Sequence, residues 1–267
     1  MRLSYTLPAL AQPLKHPAKP LPMNPIVLIP ARMAATRLPG KPLADIGGVP
    51  MIVRVLRQAL AAGVGPVAVA AGDAEIVAVV EAAGGRAILT DRGLPSGSDR
   101  VLAALRTLDP EGHHDVVVNL QGDIPFVTPQ ALRAITGLLA ARPACDIATL
   151  MGMETSPEDR TNPDLPKVIA ALEPDGVTAR CLYFTRANPY GDGPVWLHHG
   201  IYGYRRAALE AFTTAPPSPL EQRERLEQLR ALELGLSIWA TVIDGAPLSV
   251  DSPADLARAR SYAGELR

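Results

Sequence analysis

The chain carries almost no net charge, with 26 basic against 27 acidic residues in 267. That balance excludes a global pull toward nucleic acid or membrane, so any preference for anions must be local. Cysteine is nearly absent. Cys145 and Cys181 lie far apart with no Cys-x-x-Cys spacing, which excludes a disulfide scaffold or zinc ribbon and fits a reduced, cytoplasmic protein. No apolar run approaches the roughly 18 residues that a membrane span needs. Two common nucleotide loops are missing as well. No G-x-x-x-x-G-K-[ST] occurs, because Lys41 is followed by Pro42, and no G-x-G-x-x-G follows the first apolar run. This counts against a kinase-like fold and a dinucleotide dehydrogenase. Acidic residues are missing from the whole N-terminal stretch, and the first is Asp45. What is present is 48% apolar residues, enough for the core of one large domain.

Residues 1–22 contain five prolines, no acid and no sustained periodicity. Pro8 interrupts the one apolar stretch that could serve as a signal-peptide h-region. The expectation is a disordered or artefactual extension of 1–22, translation starting at Met23, and a single domain over 23–267.

From there, short apolar runs alternate with helical patterns. PIVLIPA (25–31) is apolar on both faces, as a buried parallel strand should be. Residues 51–63 place Ile52, Val55, Leu56 and Leu60 at helical spacing and stop at Gly63. Further strands are expected at 66–71, 86–90, 115–121 and 237–243, with helices at 74–85, 98–108 and 129–142. Between 145 and 205 the strands have few helices between them, which predicts an inserted antiparallel lobe. Residues 216–235 predict one helix, charged by i,i+4 pairs such as Glu221–Arg225. The closing helix at 252–266 opens with Ser252 as N-cap. The fold class is α/β, a three-layer sandwich around a mostly parallel sheet.

Ligands of open α/β sheets sit beyond the carboxyl ends of the strands, and three features fall there. The first is the loop IPARMAATRLPGKPL (29–43), where Arg32, Arg37 and Lys41 gather around Gly40. It suits a polyphosphate: Gly40 permits unusual φ, Arg32 supplies a guanidinium fork and Lys41 a point charge. The second is NLQGDIP, with Asp123 just past a strand of three valines. The third is PLSVDSP, with Asp251. Two aspartates meeting a cationic loop make a plausible Mg²⁺–triphosphate site, since Mg²⁺ takes one or two protein carboxylates and fills its shell with water and phosphate. The bland alternative is a solvated loop and two turn aspartates. In WLHHGIYGY, strand alternation sends His198 and His199 to opposite faces, one as a pocket contact and the other at the surface.

Taken together, IPARMAATRLPGKPLADIGGVPMI, PSGSDR, VNLQGDIP, HHGIYGYRR, PPSPLEQRERLEQLRAL and VDSPADL, in this order over residues 25–260, closely resemble the 3-deoxy-manno-octulosonate (Kdo) cytidylyltransferases. The resemblance implies a nucleotide-diphospho-sugar-transferase type of fold, a homodimer, and the Mg²⁺-dependent conversion of CTP and Kdo to CMP-Kdo and pyrophosphate. That product serves the lipopolysaccharide inner core and is made in the cytoplasm. The resemblance further implies that Arg32 and Lys41 hold the CTP phosphates, with Ala31, Thr36, Ser96 and Gln121 near the nucleotide and Arg37 supporting the loop. It assigns Asp123 and Asp251 to Mg²⁺. Gln121, Arg186, His198, Tyr202, Glu227 and Gln228 would line the sugar pocket, with Arg100 beside them. Two places depart from the family pattern. Ala71-Gly72 stands where Thr-Asp is common, with Asp73 expected to cap the next helix, and Ile124 replaces an acidic residue after Asp123. A cytidylyltransferase for sialic acid or a sugar phosphate, and a nucleotide-binding protein without turnover, are the alternatives.

Overall fold

The computed structural model describes residues 23–34, 37–154, 156–189, 191, 193–245 and 247–265. The expected extension at 1–22 and the candidate Thr36 lie outside these residues. Strand β1 (Pro25–Ala31) sends Val27, Ile29 and Ala31 to one face and Ile26 and Leu28 to the other. All five are buried, which is why the run has no polar alternation. A Gly47-Gly48 turn joins β2 (Asp45–Ile46) to β3 (Val49–Pro50), a small hairpin. Then follow α1 (Met51–Ala62), β4 (Val67–Ala71), α2 (Ala74–Ala82), β5 (Ala87–Leu89), α3 (Gly97–Leu108), β6 (Val116–Asn119) and α4 (Pro129–Ala141). Helix α1 buries Ile52, Val55, Leu56 and Ala59. Leu60, placed on that face by spacing, is instead exposed.

The second half comprises β7 (Ile147–Met153), α5 (Pro157–Thr161), β8 (Lys167–Leu172), β9 (Thr178–Thr185), β10 (Trp196–Arg205), α6 (Arg206–Thr214), α7 (Pro219–Glu224), α8 (Gln228–Glu233), β11 (Ile238–Val242) and α9 (Pro253–Glu265). The main sheet has nine strands in the order β5-β4-β1-β6-β10-β7-β11-β9-β8. Strands β9 and β10 run opposite to the other seven. The antiparallel strands are therefore no inserted lobe but the continuation of one mixed sheet. That end curls, because Trp196 and Leu197 pair both with Met153 and Gly152 of β7 and with Val168 and Lys167 of β8. One face is covered by α1, α2 and α4 and the other by α3, α6 and α8, giving the expected three layers. Helix α9 packs on the β2–β3 hairpin through Ile46, Leu256 and Ala259.

The single helix expected at 216–235 is two. Ser218 and Glu221 form a capping box at the start of α7. Arg225 then turns left-handed at φ 57°, the one non-glycine residue described with positive φ. Glu221 does not pair with Arg225 as the i,i+4 rule suggested. It receives two bonds from Arg230, at 2.6 and 2.7 Å. Arg230 reaches back across the break and caps Phe212 and Ala215 carbonyls as well. The break turns Leu226 into the core and Glu227 toward α3.

Asp109, at the end of α3, accepts from the backbone N–H of His113 and His114 and from the Arg206 guanidinium. Although burial opposes it, these donors hold its carboxyl well below the ordinary carboxylate range. Asp109→Ala would leave two backbone donors and a guanidinium short of an acceptor. It is expected to lower stability by about 2–4 kcal/mol in denaturant unfolding at pH 7.

Candidate active site

The loop after β1 is closed by short-range bonds. The Gly40 N–H donates to the Met33 carbonyl at 3.2 Å, and Gly40 itself sits at φ 70°, a conformation that other L-residues resist. Asp73 was expected to cap α2. Its side chain makes no cap bond there. Instead it accepts from the Met33 N–H at 2.7 Å and pairs with Arg92 at 3.0 Å, tying the cation loop to the end of β4. Gly72 leaves room for Arg100 and Arg32, since a Cβ there would stand 2.8 Å from Arg100 Nη1 and 3.1 Å from Arg32 Cβ.

Three distant segments meet at Lys41. Its ammonium lies 2.7 Å from Asp123 Oδ2 and 3.0 Å from Asp251 Oδ1, and Arg37 reaches Asp251 at 3.4 Å. A backbone bond from Val250 N–H to the Asp123 carbonyl, 2.9 Å, fixes the two aspartates side by side. Burial works against the Lys41 charge, yet Asp123 and Asp251 outweigh it and raise the ammonium above its ordinary value. Burial likewise raises the Asp123 carboxyl, with Lys41 drawing it partly back. Ile124 packs into the core with Val127 and Leu132, so the departure at 124 adds no acid to the pair formed by Asp123 and Asp251.

Beside this cluster lies a cavity of about 320 Å³. It is lined by Ala31, Arg32, Lys41, Ser96, Arg100, Gln121 and Asp123 among the expected residues. Arg100 is buried and lines this cavity together with Ser96 and Gln121. Its guanidinium is held by Thr90 Oγ1 at 2.6 Å and the Asp91 carbonyl at 3.0 Å. Burial and the neighbouring Arg32 both disfavour its charge. Ser96 N-caps α3 through the Asp99 N–H and also donates to the Asp99 carboxylate at 2.6 Å.

A polar chain leads from the cavity to the expected sugar side. Gln121 donates to Asn119 Oδ1 at 3.0 Å, Asn119 donates to Ser98 Oγ at 3.4 Å, and Ser98 donates to Glu227 Oε2 at 3.2 Å. Burial raises the Glu227 carboxyl, while the Ser96 and Ser98 hydroxyls oppose this. Tyr202 pairs with Asn119 through the β10–β6 ladder, and its ring is 5.4 Å from His198. Gln228 Nε2 stands 3.5 Å from His198 Nδ1. Arg186 does not line the cavity and donates to the carbonyls of Pro163 at 2.8 Å and Arg225 at 3.5 Å. Asn119 and Ser98 were not picked out from the sequence, and Asp73 was read there only as a helix cap. Asn119 closes a valine strand and Ser98 opens a helix, and neither position advertises a site.

Both histidines face opposite sides of β10, but neither is at the surface: His198 is 9% and His199 8% exposed. Burial depresses His198 to about 3 and His199 to about 4. Between pH 6.5 and 5 the unfolded chain binds protons that the folded chain refuses, so stability falls as pH falls. Each residue adds a slope approaching 1.4 kcal/mol per pH unit, roughly. Denaturant unfolding at pH 7.5, 6 and 5 should show this slope, reduced by about half in His199→Gln.

The chain matches the family described as cytidylyltransferase over residues 26–238. It is 56% identical over 253 residues to 3-deoxy-manno-octulosonate cytidylyltransferase of Parvibaculum lavamentivorans, covering 94% of this chain and 96% of that one. The Rhodopseudomonas palustris protein of the same name is 58% identical over 237 residues, 88% and 95% of the two chains. Among solved structures, a CMP:2-keto-3-deoxy-manno-octonic acid synthetase complexed with CTP aligns with TM-score 0.84 and 35% identity, over 91% of this chain and all of that one. The 4-diphosphocytidyl-2C-methyl-D-erythritol synthase of Anaerococcus prevotii shares the fold at TM-score 0.60 and 12% identity, over 91% and 99% of the chains. With the cation loop, the paired aspartates and the curled mixed sheet in place, the chain belongs to the 3-deoxy-manno-octulosonate cytidylyltransferase family.

Proposed function

We propose that this protein transfers the cytidylyl group of CTP to the anomeric hydroxyl of Kdo, giving CMP-Kdo and pyrophosphate for lipopolysaccharide inner-core synthesis. The observation that carries this reading is the continuity of the site. A cationic cavity walled by Lys41 and Asp123 is joined by side-chain hydrogen bonds through Gln121, Asn119 and Ser98 to Glu227, and the adjacent Gln228 meets His198. The family relationship and the CTP complex of the 35%-identical structure support it.

In the reaction, an oxygen–phosphorus bond forms between the anomeric oxygen and the α-phosphorus. The bond from that phosphorus to the β-bridging oxygen breaks, pyrophosphate leaves, and the proton of the attacking hydroxyl is released to solvent. Arg32 makes no ion pair among the described residues, so its guanidinium is open to the phosphates, and Lys41 adds a second positive charge at the cavity wall. Both offset charge gathering on the leaving oxygens. Transfer of this type needs no protein nucleophile.

Asp123 and Asp251 fit Mg²⁺. A carboxylate oxygen of each converges on the Lys41 ammonium, at 2.7 and 3.0 Å, and a hard cation beside that ammonium would find the oxygen donors it prefers. The bound ion would polarise the phosphoryl oxygens and make the attacking hydroxyl more acidic. Asp123 and Asp251 would hold it in place, and Lys41 would keep the carboxylates charged.

Pyrophosphate release with CTP and Mg²⁺, run in parallel with Kdo, 8-amino-Kdo and sialic acid, tests the reading. Release with Kdo or its amino variant but not with sialic acid is expected, and release with sialic acid alone would reassign the substrate. Asp123→Ala and Asp251→Ala should each lower turnover by at least about 100-fold. Near wild-type kcat in either would remove that residue from the metal site.

A cytoplasmic homodimer is part of the same proposal. No described helix is long and apolar enough to cross a membrane. Strands β8 and β9, at the edge of the sheet, leave Ile169, Leu172 and Leu182 exposed, apolar surface suited to burial against a second copy. Light scattering should give a dimer for the native chain and a monomer for Leu182→Glu.

A further inference from the structure

Strand β10 carries two extra residues opposite β7. Between the pairs His199–Leu150 and Gly203–Ala148, β7 advances two positions and β10 four. Thr149 faces this bulge and is fully buried. Its Oγ1 lies 2.9 Å from the Ile201 carbonyl, 3.3 Å from the His199 carbonyl and 2.9 Å from His198 Nε2.

A threonine hydroxyl has one proton. Two of its three neighbours here are carbonyl oxygens, which only accept. The proton therefore goes to the bulge, with Ile201 nearer, and Oγ1 is left as an acceptor toward His198. For that contact to be a hydrogen bond, His198 must carry its proton on Nε2. The other nitrogen, Nδ1, is then a lone pair, and it faces the Gln228 amide at 3.5 Å, the long limit of such a bond. The ring is further fixed by Phe184 at 4.9 Å and Tyr202 at 5.4 Å. Its burial disfavours the doubly protonated form, in which Nδ1 would have no lone pair to offer.

We propose that Thr149 is a positioning residue that holds His198 in the Nε2–H tautomer, so that Nδ1 accepts a hydrogen bond from a hydroxyl of the sugar substrate. This role rests on the sugar-pocket reading given above. It makes the bulge part of substrate selection: a hydroxyl donor can meet Nδ1 in its held tautomer, whereas a ligand presenting only an acceptor there leaves two lone pairs opposed. Gln228, whose amide meets the same lone pair weakly, would share or yield that contact when sugar enters.

The test uses the full chain labelled with ¹⁵N-histidine, without substrate, at pH 7.5. Two- and three-bond proton–nitrogen correlations assign each ring's tautomer, and His198→Asn identifies its signals. The expected result is Nε2–H for His198 in the native protein and in Thr149→Ser. Thr149→Val fills the same space without a hydroxyl. There the ring should move toward Nδ1–H, with the Gln228 amide oxygen as its new acceptor. The KM for Kdo should rise in Thr149→Val by about 5- to 30-fold, the loss of one hydrogen bond, while kcat changes little and Thr149→Ser restores KM. A native Nδ1–H ring would overturn the proposal, as would a valine variant whose tautomer and KM both stay unchanged. A tautomer shift without a change in KM would overturn the role in sugar selection. Failure of the sugar-pocket reading itself appears separately, as a native enzyme that releases no pyrophosphate with Kdo.

Discussion

The site depends on one ion cluster: the Lys41 ammonium held between Asp123 and Asp251. The three residues are 82 and 210 positions apart along the chain, so the contact ties the loop after β1, the end of β6 and the approach to α9 into one wall. Two carboxylates this close, partly withdrawn from water, would repel each other and tend to bind a proton. Burial keeps that tendency alive at Asp123 and Lys41 draws it back only in part, so the position is poised rather than simply stable. With Arg37 also on Asp251, two cations face two acids and the cluster has little positive charge to spare. A triphosphate could not come alongside it without further positive charge, and Arg32 together with a divalent ion answers that need.

Around this cluster the fold uses rigid elements to hold flexible chemistry. Strand β1 is buried on both faces, so the cation loop begins from a fixed point. Asp73 and Gly40 then fix its return. The residue that looked like a departure from the family pattern serves this purpose: an Asp one place later reaches the Met33 N–H, and Gly72 clears the path between Arg32 and Arg100. A local loss of side chain on β4 is thus matched by a gain of anchoring in the loop.

Much of this was legible in the chain. The β1, β4 and β6 runs are short and apolar without alternation, and Gly63 and Ser252 mark helix ends where they were expected. The cations and aspartates could be named because strand ends in α/β sheets are where ligands bind. Other features depend on contacts between distant residues and leave no local trace. The break at Arg225 is unreadable from a charged helical pattern, because it is held by Arg230 reaching back to Glu221 and by Arg186 bonding the Arg225 carbonyl. Helix α6 follows β10 with no turn residue between them, since Arg206 N–H is caught by the Asp115 carbonyl. Asn119 and Ser98 look like ordinary strand and helix residues until their side chains are seen to bridge Gln121 and Glu227.

His198 and His199 make the same point at the scale of adjacent residues. They have the same chemistry and nearly the same exposure, and burial keeps both neutral. What separates them is partners. His199 Nε2 has none among the described residues, with Gly152 leaving room beside it. His198 lies between a hydroxyl and an amide. Burial alone would make either ring an inert filler of the sheet. A second strand slipped by two residues, and a threonine placed opposite the slip, are what give one of them a direction.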